Sequence, residues 1–264
     1  MNKLREKLKN EKIIIGMVHL LPLPGSPKYN GNLDKVYEAA LFDLKALEES
    51  GVGAVIIENF GDVPYAAENE LINKVAYTKM VSLLKENTSL PVGINYQFND
   101  VETEWSVAYC CDADFIRCEV FAENRMGPNG VFIASGPKLM RMKAHYNKDI
   151  MILADVNVKH TFAITEQPLE FTIESIIEGG ADGVIVTGIT TGVNPTIEDV
   201  KMVKNHAKKL PVFLGSGINE SNVNEYLPYI SGAIVGSSLK KDHVVENPVD
   251  AENVKKFMSK VVNN

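Results

Sequence analysis

The chain has 264 residues, 45% of them hydrophobic and 23% charged, which is enough apolar material for a large core and the usual size of one α/β barrel. A formal net charge of −7 excludes the concentrated basic face that wraps a phosphate backbone, so no nucleic-acid partner is expected. The three cysteines, Cys110, Cys111 and Cys118, include an adjacent pair that is hard to bridge and have no metal-ligand spacing, which fits a reducing cytoplasm; no cofactor is expected, and a metal held by His19, Glu58, Asp155 or His160 is an alternative that no closely spaced ligand motif supports.

The N-terminal MNKLREKLKNEK is basic but leads into only a short apolar run. It reads as neither a signal peptide nor a membrane span, and Leu4–Leu8 reads as the start of an amphipathic cap helix. Ile13–Leu20 is the first predicted strand, followed by Leu-Pro-Leu-Pro-Gly-Ser-Pro, which cannot continue as helix because proline lacks the N–H donor. Asp34 is the expected cap of a helix with Val36, Ala40, Leu44 and Leu47 at helical spacing, ended by Gly51. The second strand, GAVIIENF, alternates little, which suits burial on both faces, and delivers Glu58 to its C-terminal end.

Two stretches carry a family resemblance: GMVHLLPLPGSP at Gly16–Pro27 and GVGAVIIENFGDVPY at Gly51–Tyr65. Through them, and on to GSSLK near the C-terminus, the chain resembles the BtpA/SgcQ family. The resemblance implies a TIM-type barrel over nearly the whole chain. One branch of that family is named for a thylakoid-associated factor in photosystem I biogenesis, another for a nucleosidase-like protein associated with sugar metabolism, and neither name fixes a reaction.

Further along, a helix over 69–85 precedes the strand PVGINY with Asn95 at its end, and a helix with Val101, Trp105 and Ala108 on one face follows. The fourth strand, FIRC, places Arg117 and Glu119 at or just beyond its end. The next segment has strand-like runs on either side of Met126-Gly127-Pro128-Asn129-Gly130, which predicts a β-hairpin over the barrel mouth, as a lid or a subunit contact. A homo-oligomer through this 119–134 hairpin is the corresponding partner expectation. The helix over 138–146 leads to IMILADV, after which Asp155, Asn157, Lys159 and His160 fall within six positions. A helix after Pro168, one opened by Pro195, one over 221–227 and one over 251–261 complete the outer ring.

Three short β-branched runs, Val184–Val186, Val212–Leu214 and Ala233–Val235, each stop at glycine and hydroxyl residues. These read as buried parallel strands whose bare ends let backbone N–H groups approach an oxyanion. Thr187, Gly188, Gly215, Ser216, Gly217, Gly236, Ser237 and Ser238 are the candidate phosphate-binding residues, with Ser237–Lys241 as the short extra helix of a barrel phosphate site. Tight turns alone would also account for the glycines. Eight β/α units can be counted, so a single (β/α)8 TIM barrel over 1–264 with a hairpin after strand 4 is expected. A doubly wound sheet usually carries its Gly-rich loop after the first strand, where this chain is Pro-rich.

Strand C-termini of a barrel converge, so His19, Glu58, Asn95, Arg117, Glu119, Asp155, Lys159 and His160 are the candidate catalytic residues. Each also has an ordinary reading: His19 as a core histidine, Arg117 paired with Glu119, Asp155 bonded to a turn. Together they suit acid/base work or stabilisation of an oxocarbenium-like centre by Glu58 and Asp155, whereas a Schiff base on Lys159 requires a desolvated amine. The expected partner is a small phosphorylated sugar or nucleotide-like ligand. Nucleosidase-type cleavage, a phosphosugar isomerase, epimerase or lyase, and a non-catalytic assembly factor are the competing functions.

Overall fold

The structure, a computed structural model, describes residues 2–66, 68–165, 167–187 and 195–262. Eight parallel strands close into a barrel: β1 (Ile13–His19), β2 (Ala54–Glu58), β3 (Val92–Asn95), β4 (Phe115–Cys118), β7 (Met151–Asp155), β9 (Gly183–Val186), β10 (Val212–Leu214) and β11 (Gly232–Val235). The outer ring is α2 (Leu33–Glu49), α3 (Leu71–Lys85), α4 (Val101–Cys110), α5 (Gly136–Tyr146), α6 (Leu169–Glu178), α7 (Ile197–His206), α8 (Val223–Tyr226) and α9 (Ala251–Val262). The chain is therefore a TIM barrel.

Alternation along the strands divides the apolar residues into two packed layers. Ile13, Ile15, Met17, Ile56, Phe115, Met151, Leu153, Ile185, Phe213 and Ile234 fill the barrel interior, and Leu4 joins them from the short helix α1 (Lys3–Lys7) as a plug. Val55, Ile57, Ile94, Ile116, Ile152, Val184 and Leu214 point outward against the helices. A filled lower barrel leaves the C-terminal strand ends as the place where polar groups can gather.

The helix boundaries refine three expectations. Asn32, not Asp34, caps α2, its side chain accepting from the Lys35 N–H at 3.0 Å. Thr196 and Asp199 form a capping box at the start of α7, directly after Pro195. The short extra helix expected over Ser237–Lys241 is 3-10 rather than α, in two turns, Ser237–Leu239 and Lys241–His243.

The hairpin sits between β4 and α5 as β5 (Arg125–Gly127) and β6 (Gly130–Phe132), with Gly127 opposite Gly130 around Pro128-Asn129. A third strand, β8 (Phe162–Ala163), pairs with the other edge of β5 to give the sheet order β6-β5-β8. Buried Arg125 ties this sheet to the segment after β7, donating to Thr161 Oγ1 at 2.6 Å and to the Thr161 carbonyl at 3.2 Å.

The two stretches that carry the family resemblance meet in space. Asp62 accepts from the Leu23 N–H at 2.8 Å and from the Asn59 and Asn73 side chains at 3.1 and 3.0 Å. The Gly61 N–H reaches the Leu20 carbonyl at 3.0 Å, and a Cβ on Gly61 would lie only 2.4 Å from the Pro22 nitrogen. Close backbone approach is thus the reason glycine stands before Asp62, and this knot fixes the Pro-rich loop beside the ends of β1 and β2.

Candidate functional site

Two lobes of one cleft open at the C-terminal end of the barrel. The first, about 510 Å³, is walled by Phe60, Val63, Pro64, Tyr65, Phe98 and Phe132 and roofed by the hairpin turn Pro128-Asn129. The second, about 440 Å³, lies against His19, Gly215–Asn219 and Gly236–Ser238. Glu58, Phe60, Arg117, Lys159 and Gly215 border both, so charged groups occupy the junction between an apolar lobe and a peptide-lined lobe.

Glu58 ends β2 and accepts from Asn95 Nδ2 at 3.0 Å. Glu119, just past β4, accepts from Gln97 Nε2 at 2.7 Å and from the Asn99 N–H at 3.0 Å. Arg117 is bidentate to Asp155, Nε to Oδ2 at 2.9 Å and Nη2 to Oδ1 at 3.3 Å, and the Asp155 side chain is wholly buried. Asp155 and Asn95 therefore border neither lobe: one anchors Arg117, the other positions Glu58. Arg117 pairs with Asp155 rather than with Glu119.

The electrostatics follow from burial of several charges around one guanidinium. Burial, opposed by Arg117 and reinforced by Glu58 and Asp155, pushes the Glu119 carboxyl up to about 8. Burial also raises Glu58, again against Arg117. Arg117 stays above its ordinary value, because Asp155, Glu119 and Glu58 outweigh its own desolvation. Lys159 is lowered by burial and then by Arg117. At neutral pH, Glu119 thus keeps its proton. Its hydrogen bonds from Gln97, from the Asn99 N–H and, at 3.5 Å, from Asn95 Nδ2 are all accepted, so none of them uses that proton.

His19 borders the peptide-lined lobe, stacked on Phe60 with ring centroids 4.4 Å apart. Burial and the nearby Lys240 charge depress it to about 3, so it is neutral, and its Nδ1 has no hydrogen-bond partner. His160 is exposed and borders the apolar lobe with φ +60°.

In the second lobe the N–H groups of Ser216, Gly217, Gly236, Ser237 and Ser238 have no acceptor among the described residues. Hydroxyls stitch the loops together: Ser216 donates to the Thr187 carbonyl, Ser238 to Ile218 O at 2.7 Å and Thr187 to Asn157 O at 2.8 Å. Lys240, buried and paired with Asp43 at 2.5 Å, anchors the turn from below. Gly215 has another role than the one expected of it. Its N–H already donates to Val186 O at 2.8 Å, and a Cβ there would lie 2.5 Å from Thr187 Cγ2, so strand packing requires the glycine. Gly217 has φ +74°, a left-handed backbone that favours glycine. Gly188 lies outside the described residues. Since α8 has only four residues and begins at Val223, the polarity of this lobe comes from free peptide N–H groups rather than from a long helix.

Phe60, Tyr65, Phe98 and Phe132, which wall the apolar lobe, and Gln97, which holds Glu119, are functional residues not among those expected from the sequence. Gln97 and Phe98 stand two and three residues past Asn95, so extending each strand end by one turn of chain would have found them. Among the described residues, no group of three or more His, Cys, Asp or Glu is placed to hold a metal ion, and no helix is long and apolar enough to cross a membrane.

Comparison with known proteins places this geometry in a family. The chain is 38% identical over 250 residues to an uncharacterised protein of Methanocaldococcus jannaschii, covering 94% of this chain and 95% of that one. It is 37% identical over 247 residues to the photosystem I biogenesis protein BtpA of Synechocystis, covering 93% of this chain and 86% of the relative. The tryptophan synthase alpha chain of Legionella pneumophila superposes with a TM-score of 0.62 at 13% identity, over 100% of this chain and 98% of that one, a likeness of fold. A model of the BtpA family matches residues 10–263, and the chain belongs to that family.

Proposed function

We propose that this protein is an enzyme acting on a small phosphorylated sugar or nucleotide-like ligand, and that it cleaves the bond between the sugar carbon and an aromatic leaving group. The observation that carries this reading is the division of the cleft: free peptide N–H groups at one end, aromatic walls at the other, and Glu58, Arg117 and Lys159 between them. A phosphate seated at Ser216–Gly217 and Gly236–Ser238 would place a sugar over the charged junction and a flat group among Phe60, Tyr65, Phe98 and Phe132. Lys159 borders both lobes and supplies the cation that offsets the phosphate charge.

In this reading the bond from the sugar carbon to the leaving nitrogen breaks, its electron pair stays with the leaving group, and Glu119 supplies the proton. The Glu58 carboxylate faces the positive charge that develops at the sugar carbon, then takes a proton from the water that attacks there. Asp155 acts through Arg117, holding it at the junction. A phosphosugar isomerase, epimerase or lyase would use the same anchor, and product analysis separates the two: hydrolysis releases a free heterocycle, isomerisation does not. The name of the Synechocystis relative supports a second reading as an assembly factor. The open, polar junction favours ligand chemistry over it.

A thermal-shift series tests the anchor. Inorganic phosphate, ribose 5-phosphate and nucleoside 5′-monophosphates should raise the melting temperature in rising order, because each binds the native state through more of the cleft. A Cβ on Gly236 would meet His19 Cε1 at 3.4 Å and Met17 Cγ at 3.5 Å, both ordinary contacts. Gly236→Ala should therefore fold, yet shrink the shift with every phosphorylated compound. An undiminished shift in that variant would remove the anchor from the account.

A further inference from the structure

The three-stranded sheet β6-β5-β8 has two unlike faces. On the inner side Phe132 is buried against Phe98, Val120 and Val158, and Arg125 is buried against Thr161. On the outer side Val131, Met126 and Phe162 form a row across the strands, since Met126 is paired with both neighbours. Ile133 and Ile164 extend the same face by two-residue alternation. All five are exposed, by 48% to 65%. Side chains of this size at such exposure present on the order of 500 Å² of apolar surface, at the upper end for a patch left bare on a monomer.

We infer that this face is covered by a second copy of the same chain, packed sheet against sheet about a two-fold axis near Met126. Three observations favour a copy over another occupant. The row is centred on the middle strand, so a two-fold axis there sets Val131 of one copy against Phe162 of the other, the self-complementary arrangement that a closed dimer requires. None of the five side chains is charged, so two copies that each carry a net charge of −7 can meet here without opposing like charges across the contact. The patch also supplies more than half of the roughly 800 Å² per partner found in standard interfaces, and the outer edges of β6 and β8, which pair with no further strand among the described residues, can supply the rest. Because the inner face of the same strands walls the apolar lobe, dimerisation would also fix the roof of the cleft.

The test is the oligomeric state of the intact protein, measured by sedimentation velocity and light scattering from low to high micromolar concentration. The natural sequence should be a dimer whose melting temperature rises with protein concentration. Met126→Asp combined with Phe162→Asp should be a folded monomer whose melting temperature does not. If the aspartate pair fails to fold, Met126→Gln with Val131→Thr makes the same test. Val75→Asp, on the exposed stripe of α3, should leave the dimer intact. The inference is overturned if the natural protein stays monomeric throughout, if the face variants remain dimeric, or if Val75→Asp is the change that separates the copies. A monomer that floats with phosphatidylcholine–phosphatidylglycerol vesicles would likewise overturn it, in favour of a lipid surface.

Discussion

Glu119→Gln is expected to lower turnover by more than about a hundredfold, the loss typical when a general acid is removed, and to abolish the alkaline limb of the pH profile. Glu119 carries its proton up to about pH 8 because burial penalises its charged form and Glu58 and Asp155 add repulsion. As an acid it works only when protonated, so activity should fall as pH rises through about 8. The residual activity of the glutamine variant should lack that fall. Stability gives a second readout. A carboxyl whose folded pKa is raised binds more protons in the native than in the unfolded state, so it costs stability progressively as pH rises from its ordinary value near 4.5 to about 8. Denaturant titrations at pH 5 and pH 8.5 should show a smaller difference in the variant than in the natural protein, whereas equal pH dependence in both would assign the titration to another group.

Breaking the buried pair beneath the junction should have the largest effect on stability. In Arg117→Leu, Asp155 is left wholly buried without its hydrogen-bonded cation, with only the more distant Lys159 charge, and Glu58 and Glu119 lose the positive charge that holds down their pKa values. Removing one partner of such a pair costs about 3–5 kcal/mol. The loss should be greater at high pH, since at low pH Asp155 can take a proton instead of staying charged. Arg117→Leu combined with Asp155→Leu should recover part of the loss, because the apolar pair removes the stranded Asp155 charge while Glu58 and Glu119 still lack Arg117. Urea unfolding of the three variants checks this, and a single variant as stable as the natural protein would mean that the pair is solvated and its geometry incidental.

Much of the barrel was legible in the sequence because each strand is a short β-branched run that stops at a glycine or a polar residue, as at Glu58, Asn95 and Gly215. The site was legible as a set of strand ends but not as an arrangement. Whether a residue at the end of a strand faces the cleft or lies beneath a neighbour depends on register across the barrel, which is why Asp155 reads like an acid or base and is found under Arg117. The strand β8 could not be read because two residues show no periodicity and its partner β5 is 35 or more residues earlier. Gly215 misled in another way: glycine at a strand end signals close approach, yet here the approaching atoms are Thr187 and Ile185 rather than a ligand. The apolar lobe was missed because Phe60, Tyr65 and Phe98 stand past the barrel strand ends and Phe132 sits in the hairpin, away from the strand-end positions that mark a barrel site.

Free N–H groups after β10 and β11 are expected to hold a phosphate at one end of the divided cleft. The most direct measurement is a crystal structure of the protein soaked with ribose 5-phosphate. Phosphate density is expected within hydrogen-bond distance of the Ser216, Gly217, Gly236 and Ser237 nitrogens, with the sugar directed toward Glu58 and Arg117. Density for the ligand elsewhere, or a crevice between these loops closed by protein side chains at saturating ligand, would contradict it.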